Sequence, residues 1–187
     1  MIKQYRKDLI LLLLGLGIGI GAGLILVLGV NEETRDSLMN MFNVEANPVI
    51  GSSAPDFELT SLQDEQVSLS EYAGKAVMIN FWATWCTPCR LEMPLIEKYQ
   101  QRYPSTLVVM AVDFQEPVTD VNIFVNELDL DMLVLLDPDL AVGTLYKVQG
   151  LPTSFFIDRS GKIRAIHIGS LTEDQLVGYL KKIGVEQ

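Results

Sequence analysis

The sequence predicts a mixed α/β domain that follows a single membrane-spanning helix. Two continuous apolar runs, at residues 76–82 and 107–112, are typical of buried strands, and each precedes apolar residues at helical spacing. Later in the chain, two alternating segments flank Ser160-Gly161, which predicts an antiparallel hairpin. Near the start, residues 9–30 carry no charge. Strand–helix–strand units followed by a hairpin and a helix indicate a mixed sheet flanked by helices.

The charge-free segment at residues 9–30 is long enough to cross a bilayer, because a helix of this length spans roughly 33 Å. Basic residues precede it and Glu32 and Glu33 follow it, so the positive-inside rule places the folded domain outside the cytoplasm. A cleaved signal peptide with a weak site at Gly19-Ile20-Gly21 is the alternative, and it exports the domain equally. We expect a single-pass cell-membrane protein with a cytoplasmic N-terminus at 1–8, a signal-anchor at 9–30, a tether at 31–47 and a folded domain at 48–187.

The folded domain is expected to begin with two short strands, at residues 57–59 and 67–69, which flank a polar turn and predict an N-terminal hairpin. After the buried strand at 76–82, apolar residues from Leu91 to Tyr99 predict a helix that Pro94 kinks. The remaining predicted elements are a strand at 107–112, an inserted helix within 117–130, a short strand at 132–136, a short helix at 140–146, strands at 154–157 and 163–168, and a last helix that Thr172 and Gln175 open as a capping box.

The composition excludes several classes of function. Acidic residues outnumber basic residues by 24 to 14, giving a net charge of −10, and the absence of a basic stripe argues against nucleic-acid binding. Two cysteines are too few for a disulfide-rich scaffold, and one histidine is too few for a histidine-rich metal site.

Both cysteines lie in one motif, Cys86-Thr87-Pro88-Cys89, between the first buried strand and the helix that follows it. A helix N-terminus offers unpaired N–H groups and the positive end of the helix dipole, both of which stabilise a thiolate. We therefore expect Cys86 to be a nucleophile and Cys89, one turn later, to resolve a mixed disulfide. The alternatives are a structural disulfide, which stabilises little across so short a loop, and a zinc or copper site that would need His167 and, for zinc, a further ligand.

The residues around this motif resemble a known family. Residues 81–90, Phe-Trp-Ala-Thr-Trp-Cys-Thr-Pro-Cys-Arg, are similar to the active-site signature of thioredoxin-like proteins. Pro94 is similar to their helix-kinking proline, and Gly150-Leu151-Pro152-Thr153 to their cis-proline loop. The opening at residues 51–57, Gly-Ser-Ser-Ala-Pro-Asp-Phe, and the inserted helix make residues 48–186 resemble the membrane-anchored TlpA/ResA-type thiol-disulfide oxidoreductases.

The resemblance implies a thioredoxin-like mixed β-sheet flanked by helices, with an N-terminal β-hairpin and an inserted helix. It implies that Cys86 attacks, that Cys89 resolves, and that the peptide bond before Pro152 is cis. No metal and no cofactor other than the redox-active disulfide Cys86–Cys89 is expected. The residues implied to contact the substrate are Trp85, Thr87, Pro88, Leu151 and Pro152.

The chain departs from thioredoxin at Asn80, where thioredoxin has a buried aspartate six positions before the first cysteine. Asn80 cannot be a base. Glu116 matches an acidic residue near the thiols of ResA-like proteins, and we expect it to accept a proton from Cys89, directly or through water. A solvated loop acid is the alternative reading of Glu116, and Asp113 is a weaker candidate for the same function. Glu92 is expected on the helix surface and His167 in a structural or surface position.

The leading hypothesis is an extracytoplasmic thiol-disulfide oxidoreductase that reduces protein disulfides. The resemblance suggests apocytochrome c as its substrate and a membrane thiol relay as its electron donor. A disulfide oxidase or isomerase uses the same motif, since direction depends on the reduction potential. A copper-delivery protein is the alternative from another class. A peroxidase is disfavoured, because Thr84 lies two residues before Cys86 rather than three.

Overall fold

The computed structural model describes residues 48–185, which form a seven-stranded sheet with helices on both faces. The predicted cytoplasmic segment, anchor and tether, residues 1–47, lie outside the described residues. Within residues 48–185, no helix is long and apolar enough to cross a membrane. The strands are β1 (Glu58–Ser61), β2 (Gln66–Ser68), β3 (Ala76–Trp82), β4 (Leu107–Phe114), β5 (Leu133–Asp137), β6 (Thr153–Ile157) and β7 (Ile163–Ile168), and the α-helices are α1 (Thr87–Arg102), α2 (Val118–Glu127), α3 (Ala141–Leu145) and α4 (Glu173–Lys182).

The sheet is mixed, with the strand order β2-β1-β5-β4-β3-β6-β7. The parallel part consists of β3, β4 and β5, joined by α1 and α2. The outer strands are antiparallel: β6 pairs with β3, β7 with β6, β1 with β5 and β2 with β1. The predicted mixed thioredoxin-like sheet, its N-terminal hairpin and its inserted helix are therefore confirmed.

The two faces of β3 explain why the sheet is covered on both sides. Every residue of β3 is buried, and successive side chains point to opposite faces of the sheet. Met78 and Trp82 pack on the α1, α2 and α4 side, whereas Val77, Ile79 and Phe81 pack on the other side. A strand buried on both faces reads as a continuous apolar run, which is why β3 was predictable from sequence.

The sequence interpretation of residues 67–69 as a strand is wrong at its end. Strand β2 stops at Ser68, and Leu69–Tyr72 forms a 3₁₀-helix. Leu69 is buried, as the strand prediction required, but it is buried by a helical turn. An apolar residue at a strand end carries the same pattern in either conformation.

The described chain begins alongside the first residues of β7. Gly51 donates its N–H to the carbonyl of Ile163, and Ile163 donates back to the carbonyl of Ser52. Thr153 of β6 pairs with Phe81 near the end of β3 and with Ile168 at the end of β7. The start of α1, which follows β3, therefore lies near the last residue of β7 rather than the first. The entry of the chain and the cysteine motif thus lie at opposite ends of the sheet.

Candidate active site

The two cysteines form a disulfide at the N-terminus of α1, with their Cα atoms 5.2 Å apart. Cys86 is the N-cap residue, and its Sγ accepts a hydrogen bond from the N–H of Cys89 at 3.3 Å. Cys86 retains 5% of its surface, whereas Cys89 is completely buried. The Cys86 sulfur therefore sits where helix N–H groups and the helix dipole stabilise a thiolate after reduction.

Exposed residues lie next to Cys86 in the sequence. Trp85 is 68% exposed, and Thr87 and Pro88 are exposed in the first turn of α1. Proline fits this turn because its missing N–H would have no partner within the helix. These side chains form the rim over which a partner must approach Cys86.

The loop before β6 lies at the same end of the sheet. The Leu151–Pro152 peptide bond is cis, as predicted. Pro152 is buried, Leu151 is half-buried, and the carbonyl of Pro152 accepts a hydrogen bond from the N–H of Gly169 at 2.8 Å. The pairing of Thr153 with Phe81 fixes this loop beside the end of β3 that leads to Cys86.

A groove of about 230 Å³ opens between the cysteine loop and α2. Arg90 crosses it, stacking on the Phe124 ring and pairing with Glu127 at 2.9 Å. The inserted helix α2 thus forms one wall of a groove next to Trp85. Its lining residues are Thr84, Trp85, Arg90, Asp120, Ile123, Phe124 and Glu127.

Glu116 is hydrogen-bonded to Thr84, which lies in the loop that precedes Cys86. One carboxylate oxygen accepts from the Thr84 N–H at 2.6 Å and the other from the Thr84 hydroxyl at 2.5 Å. The backbone N–H of Glu116 donates to Asp113 at 3.0 Å. The structure thus bonds Glu116 to Thr84 in the loop that precedes Cys86, and it places Asp113 beside Glu116.

Asp113 is buried, with 1% of its surface exposed. Burial raises the pKa of Asp113 to about 7, and the neighbouring Glu116 carboxylate contributes in the same direction. Its ordinary value is near 3.8, so Asp113 titrates in the physiological range.

The placement of Glu92 on the helix surface is wrong, since this side chain is 2% exposed. It accepts hydrogen bonds from the Asn80 amide at 3.0 Å and from the Leu171 N–H at 2.7 Å. Burial is the main cause that raises its pKa above the ordinary range. The signal that could have found it is spacing, because Glu92 shares a helix face with the buried Cys89 and Ile96.

Asn80 connects this carboxyl group to β6. Its amide nitrogen donates to both Glu92 and the Ser154 hydroxyl, the latter at 2.9 Å. Glu92 is therefore a second buried acid of the site. Hydrogen bonds through Asn80 and Leu171 connect it to β3, to β6 and to the loop before α4.

His167 occupies the structural position expected for it. Its ring nitrogens lie 3.2 Å from the Tyr179 hydroxyl and 3.3 Å from the Ser170 carbonyl oxygen. Within residues 48–185, no group of three or more histidine, cysteine or acidic side chains is arranged to hold a metal ion.

The sheet and the cysteine pair at a helix N-terminus define a thiol-disulfide oxidoreductase of the thioredoxin-like class. The chain belongs to the AhpC/TSA family, which it matches over residues 50–166. The predicted resemblance to ResA-type oxidoreductases is confirmed by this match and by the relatives.

Two curated bacterial proteins illustrate the sequence relationship. The chain is 40% identical over 129 residues to the thioredoxin-like protein YneN of Bacillus subtilis strain 168, covering 67% of this chain and 75% of that one. It is 41% identical over 135 residues to the thiol-disulfide oxidoreductase ResA of Bacillus cereus strain ZK/E33L, covering 72% and 78%.

Solved structures agree with this assignment. A crystal structure from Chlorobium tepidum, described as a thiol:disulfide interchange protein DsbE, is 35% identical, with a TM-score of 0.68 over 73% of this chain and 99% of that one. A solution structure from Bacteroides thetaiotaomicron, described as a protein disulfide isomerase, is 31% identical, with a TM-score of 0.65 over 72% and 87%. The relatives support thiol-disulfide exchange chemistry.

Proposed function

We propose that this protein is a membrane-anchored, extracytoplasmic reductase of protein disulfides. The observation that carries the proposal is the asymmetry of the cysteine pair: Cys86, at a helix N-terminus, retains 5% of its surface, and Cys89 retains none. Only one sulfur is presented to a partner, and the other is held for the second step. No cofactor other than this disulfide is needed.

The proposed reaction has two exchange steps. The Cys86 thiolate attacks one sulfur of the substrate disulfide, forming a mixed disulfide and releasing a substrate thiolate. Cys89 then loses its proton and attacks Cys86 Sγ, which forms the Cys86–Cys89 disulfide and releases the second substrate thiolate. Two electrons pass from the enzyme to the substrate, and the released thiolates take up protons.

The rim and the cis-proline loop are proposed to hold the substrate chain. Trp85, Thr87 and Pro88 are exposed next to Cys86 in the sequence, and half-buried Leu151 and buried Pro152 lie at the same end of the sheet. Pro152 has no N–H, so a substrate backbone can approach the loop at this residue. The five residues support a partner that is a polypeptide rather than a small thiol.

The acidic surroundings support the reductive direction. A dithiol is a strong oxidant when its reduced form is stabilised, as in DsbA. Here the Glu116 carboxylate accepts hydrogen bonds from Thr84, two residues before Cys86, and Arg90 is already paired with Glu127. Negative groups near a thiolate disfavour the reduced form, which lowers the reduction potential.

Glu116 is proposed to take up the proton of Cys89. Both of its oxygens accept hydrogen bonds from Thr84, which favours transfer through water over direct transfer. An unchanged pH profile of thiol exchange in Glu116→Gln would contradict this role.

The proposed location rests on the sequence of residues 9–30. This charge-free segment, with basic residues before it and acidic residues after it, favours an anchor that exports the domain. An anchored reductase needs electrons from a membrane thiol partner, and tethering raises the effective concentration of both. Apocytochrome c, whose Cys-x-x-Cys-His must be reduced before haem attachment, is the proposed substrate.

The reduction potential of the full-length protein tests the direction. We expect a value near or below about −230 mV against glutathione and dithiothreitol, toward the thioredoxin end of the range. A value between about −120 and −180 mV would overturn the reductase and favour the oxidase or isomerase.

Trapping of a mixed disulfide tests the substrate class. With an oxidised Cys-x-x-Cys-His peptide, Cys89→Ser is expected to accumulate a covalent adduct, because Cys86 attacks and nothing resolves the product. The matched variant Cys86→Ser should form none. Equal trapping by both variants would contradict the assigned roles.

A further inference from the structure

Asp113 is a buried acid that the exchange steps above do not use. It lies one residue before the end of β4, with 1% of its surface exposed. Its Oδ2 accepts the Glu116 N–H at 3.0 Å, whereas its Oδ1 has no hydrogen-bond partner among the residues that the structure describes. A buried charge with an unpaired oxygen is costly, and protonation removes that cost.

Glu116 has the opposite environment. Its two oxygens accept two short hydrogen bonds from Thr84, one from the backbone N–H and one from the hydroxyl. An ionised carboxylate accepts at both oxygens, whereas a protonated one has lost part of that capacity. Of the two neighbouring acids, Glu116 is therefore built to carry the charge and Asp113 to carry a proton.

Thr84 links this pair to the reactive sulfur. It lies two residues before Cys86, in the loop between β3 and α1, and the Cys86 N–H donates to the carbonyl of Ala83 at 3.1 Å. The two hydrogen bonds that Thr84 donates to Glu116 thus connect this loop to the segment that follows β4. A change at Glu116 removes these bonds to the loop that precedes Cys86.

We propose that Asp113 and Glu116 share a single proton carried by Asp113, and that this arrangement keeps Glu116 charged and the loop presenting Cys86 in place. Asp113 is then a positioning residue that acts through Glu116 and Thr84, and Glu116 keeps the charge with which it takes up the Cys89 proton. The inference rests on the proposed function for the exchange reaction at Cys86, but it holds whether the enzyme reduces or oxidises its substrate.

Loss of the shared proton is expected to weaken the hydrogen bonds between Thr84 and Glu116. Asp113 would then carry a second negative charge beside Glu116, and the repulsion between them would push Glu116 from Thr84. β3 and β5 place apolar Trp82 and Leu136 at the register of Asp113. The charged or titratable groups of its surroundings are Glu116 on its own loop, the buried Glu92 on α1, Arg90 paired with Glu127, and Asp120 on α2. Asp137 on β5, bonded to the N–H groups of Val142 and Gly143, and the two thiols after reduction complete the set.

Infrared titration of the full-length oxidised protein tests where the proton is. We expect a band of a protonated buried carboxyl group to disappear as pH rises through the neutral range and Asp113→Asn to remove that band. Glu92→Gln, which removes the other buried acid of the site, should retain it. The matched control Asp139→Asn, an exposed acid after β5, should retain it. Survival of the band in Asp113→Asn would overturn the assignment.

The pH profile of exchange tests the positioning. The rate at which a phosphine reduces the Cys86–Cys89 disulfide is measured across neutral pH. The wild-type rate should change several-fold, whereas the rate of Asp113→Asn should not change with pH. Identical profiles would overturn the proposal. The reduction potential of the wild type reports the direction of transfer separately, so failure of the reductase assignment is distinguishable from failure here.

Two further variants keep the test decisive if Asp113→Asn does not fold. In Glu116→Gln the neighbouring charge is gone, so the infrared titration of Asp113 should move to lower pH. Thr84→Ser should retain the wild-type pH profile, and Thr84→Val should lose it. An unmoved titration in Glu116→Gln, or equal profiles for the two Thr84 variants, would overturn the proposal.

Discussion

Glu92 lies one helical turn after Cys89, and its carboxyl group is enclosed by Asn80 and the backbone of Leu171. Burial raises the pKa of Glu92, so the folded protein holds this proton more tightly than the unfolded chain does. The stability that the protonated group contributes is complete at pH values below the ordinary pKa near 4.5. It is lost as pH rises through the raised value of the folded state.

We predict that Glu92→Gln costs about 1–3 kcal/mol of stability near pH 4, because glutamine cannot accept both hydrogen bonds and leaves one buried donor unpaired. The cost should shrink toward pH 8, because the wild type then carries a buried charge that the variant lacks. Urea unfolding at the two pH values measures this. A cost that grows with pH would contradict the assigned burial of the ionised group.

At this scale the sequence predicted the residues whose chemistry is local. Cys86, Cys89 and Pro152 were predictable because their spacing and neighbouring residues form a motif. Glu92 was not, because a charged helical residue is exposed by default and its partners come from β3 and the loop before α4. Asp113 was predicted as a weak candidate, but its lack of an Oδ1 partner depends on tertiary packing.

At the scale of elements, α3 is docked against the end of β4 through a glycine. A Cβ atom at Gly143 would lie 2.6 Å from Cε2 of the Phe114 ring and 3.5 Å from the Asp137 carboxylate. The Asp137 carboxylate accepts the N–H groups of Val142 and Gly143 and so fixes the first turn of α3. A shift of α3 that relieved the contact between residue 143 and the Phe114 ring would therefore strain these two hydrogen bonds.

We predict that Gly143→Ala destabilises the protein by about 1–3 kcal/mol, because the Phe114 ring must move. Gly178→Ala is the matched control in α4, where no atom lies within 4 Å of the new methyl group. It should be stabilising by about 0.5–1 kcal/mol, since alanine favours a helix over glycine. Thermal unfolding of both variants measures the difference, and equal shifts would show that the contact is unimportant.

Most elements followed from apolar patterns, but the position of the N-terminal hairpin in the sheet did not. Continuous apolar runs predicted β3 and β4. The predicted capping box of Thr172 and Gln175 is present at the start of α4. The antiparallel pairing of β1 with β5 depends on residues about 75 positions apart, such as Thr60 and Leu136. No local pattern encodes which edge of the sheet a short hairpin joins.

At the scale of the whole molecule, the net charge of −10 acts together with the acids around the disulfide. Glu116, Asp120 and Glu127 lie at or beside the groove next to Trp85, and Arg90 is the single basic residue among those that line it. Charges within about 10 Å of an approaching partner influence its rate of encounter at moderate salt. A cationic partner is therefore favoured on approach.

We predict that the reduced enzyme reacts faster with cystamine, a cationic disulfide, at low salt than at high salt. Oxidised glutathione, which is anionic, should show the opposite trend, and uncharged hydroxyethyl disulfide should be nearly independent of salt. Stopped-flow measurement of the three rates across a salt series tests this. Parallel salt dependence for all three would rule out electrostatic steering.

The entry of the chain beside the start of β7 decides how the protein can be handled. About five strand steps, roughly 16 Å, separate that point from the end of β7 nearest the disulfide. A support, a fused carrier or an electrode linker joined before residue 48 is therefore attached at the end of the sheet remote from the sulfurs. Immobilisation through that end leaves Cys86 open to large partners, whereas coupling through exposed groups near Trp85 would block them.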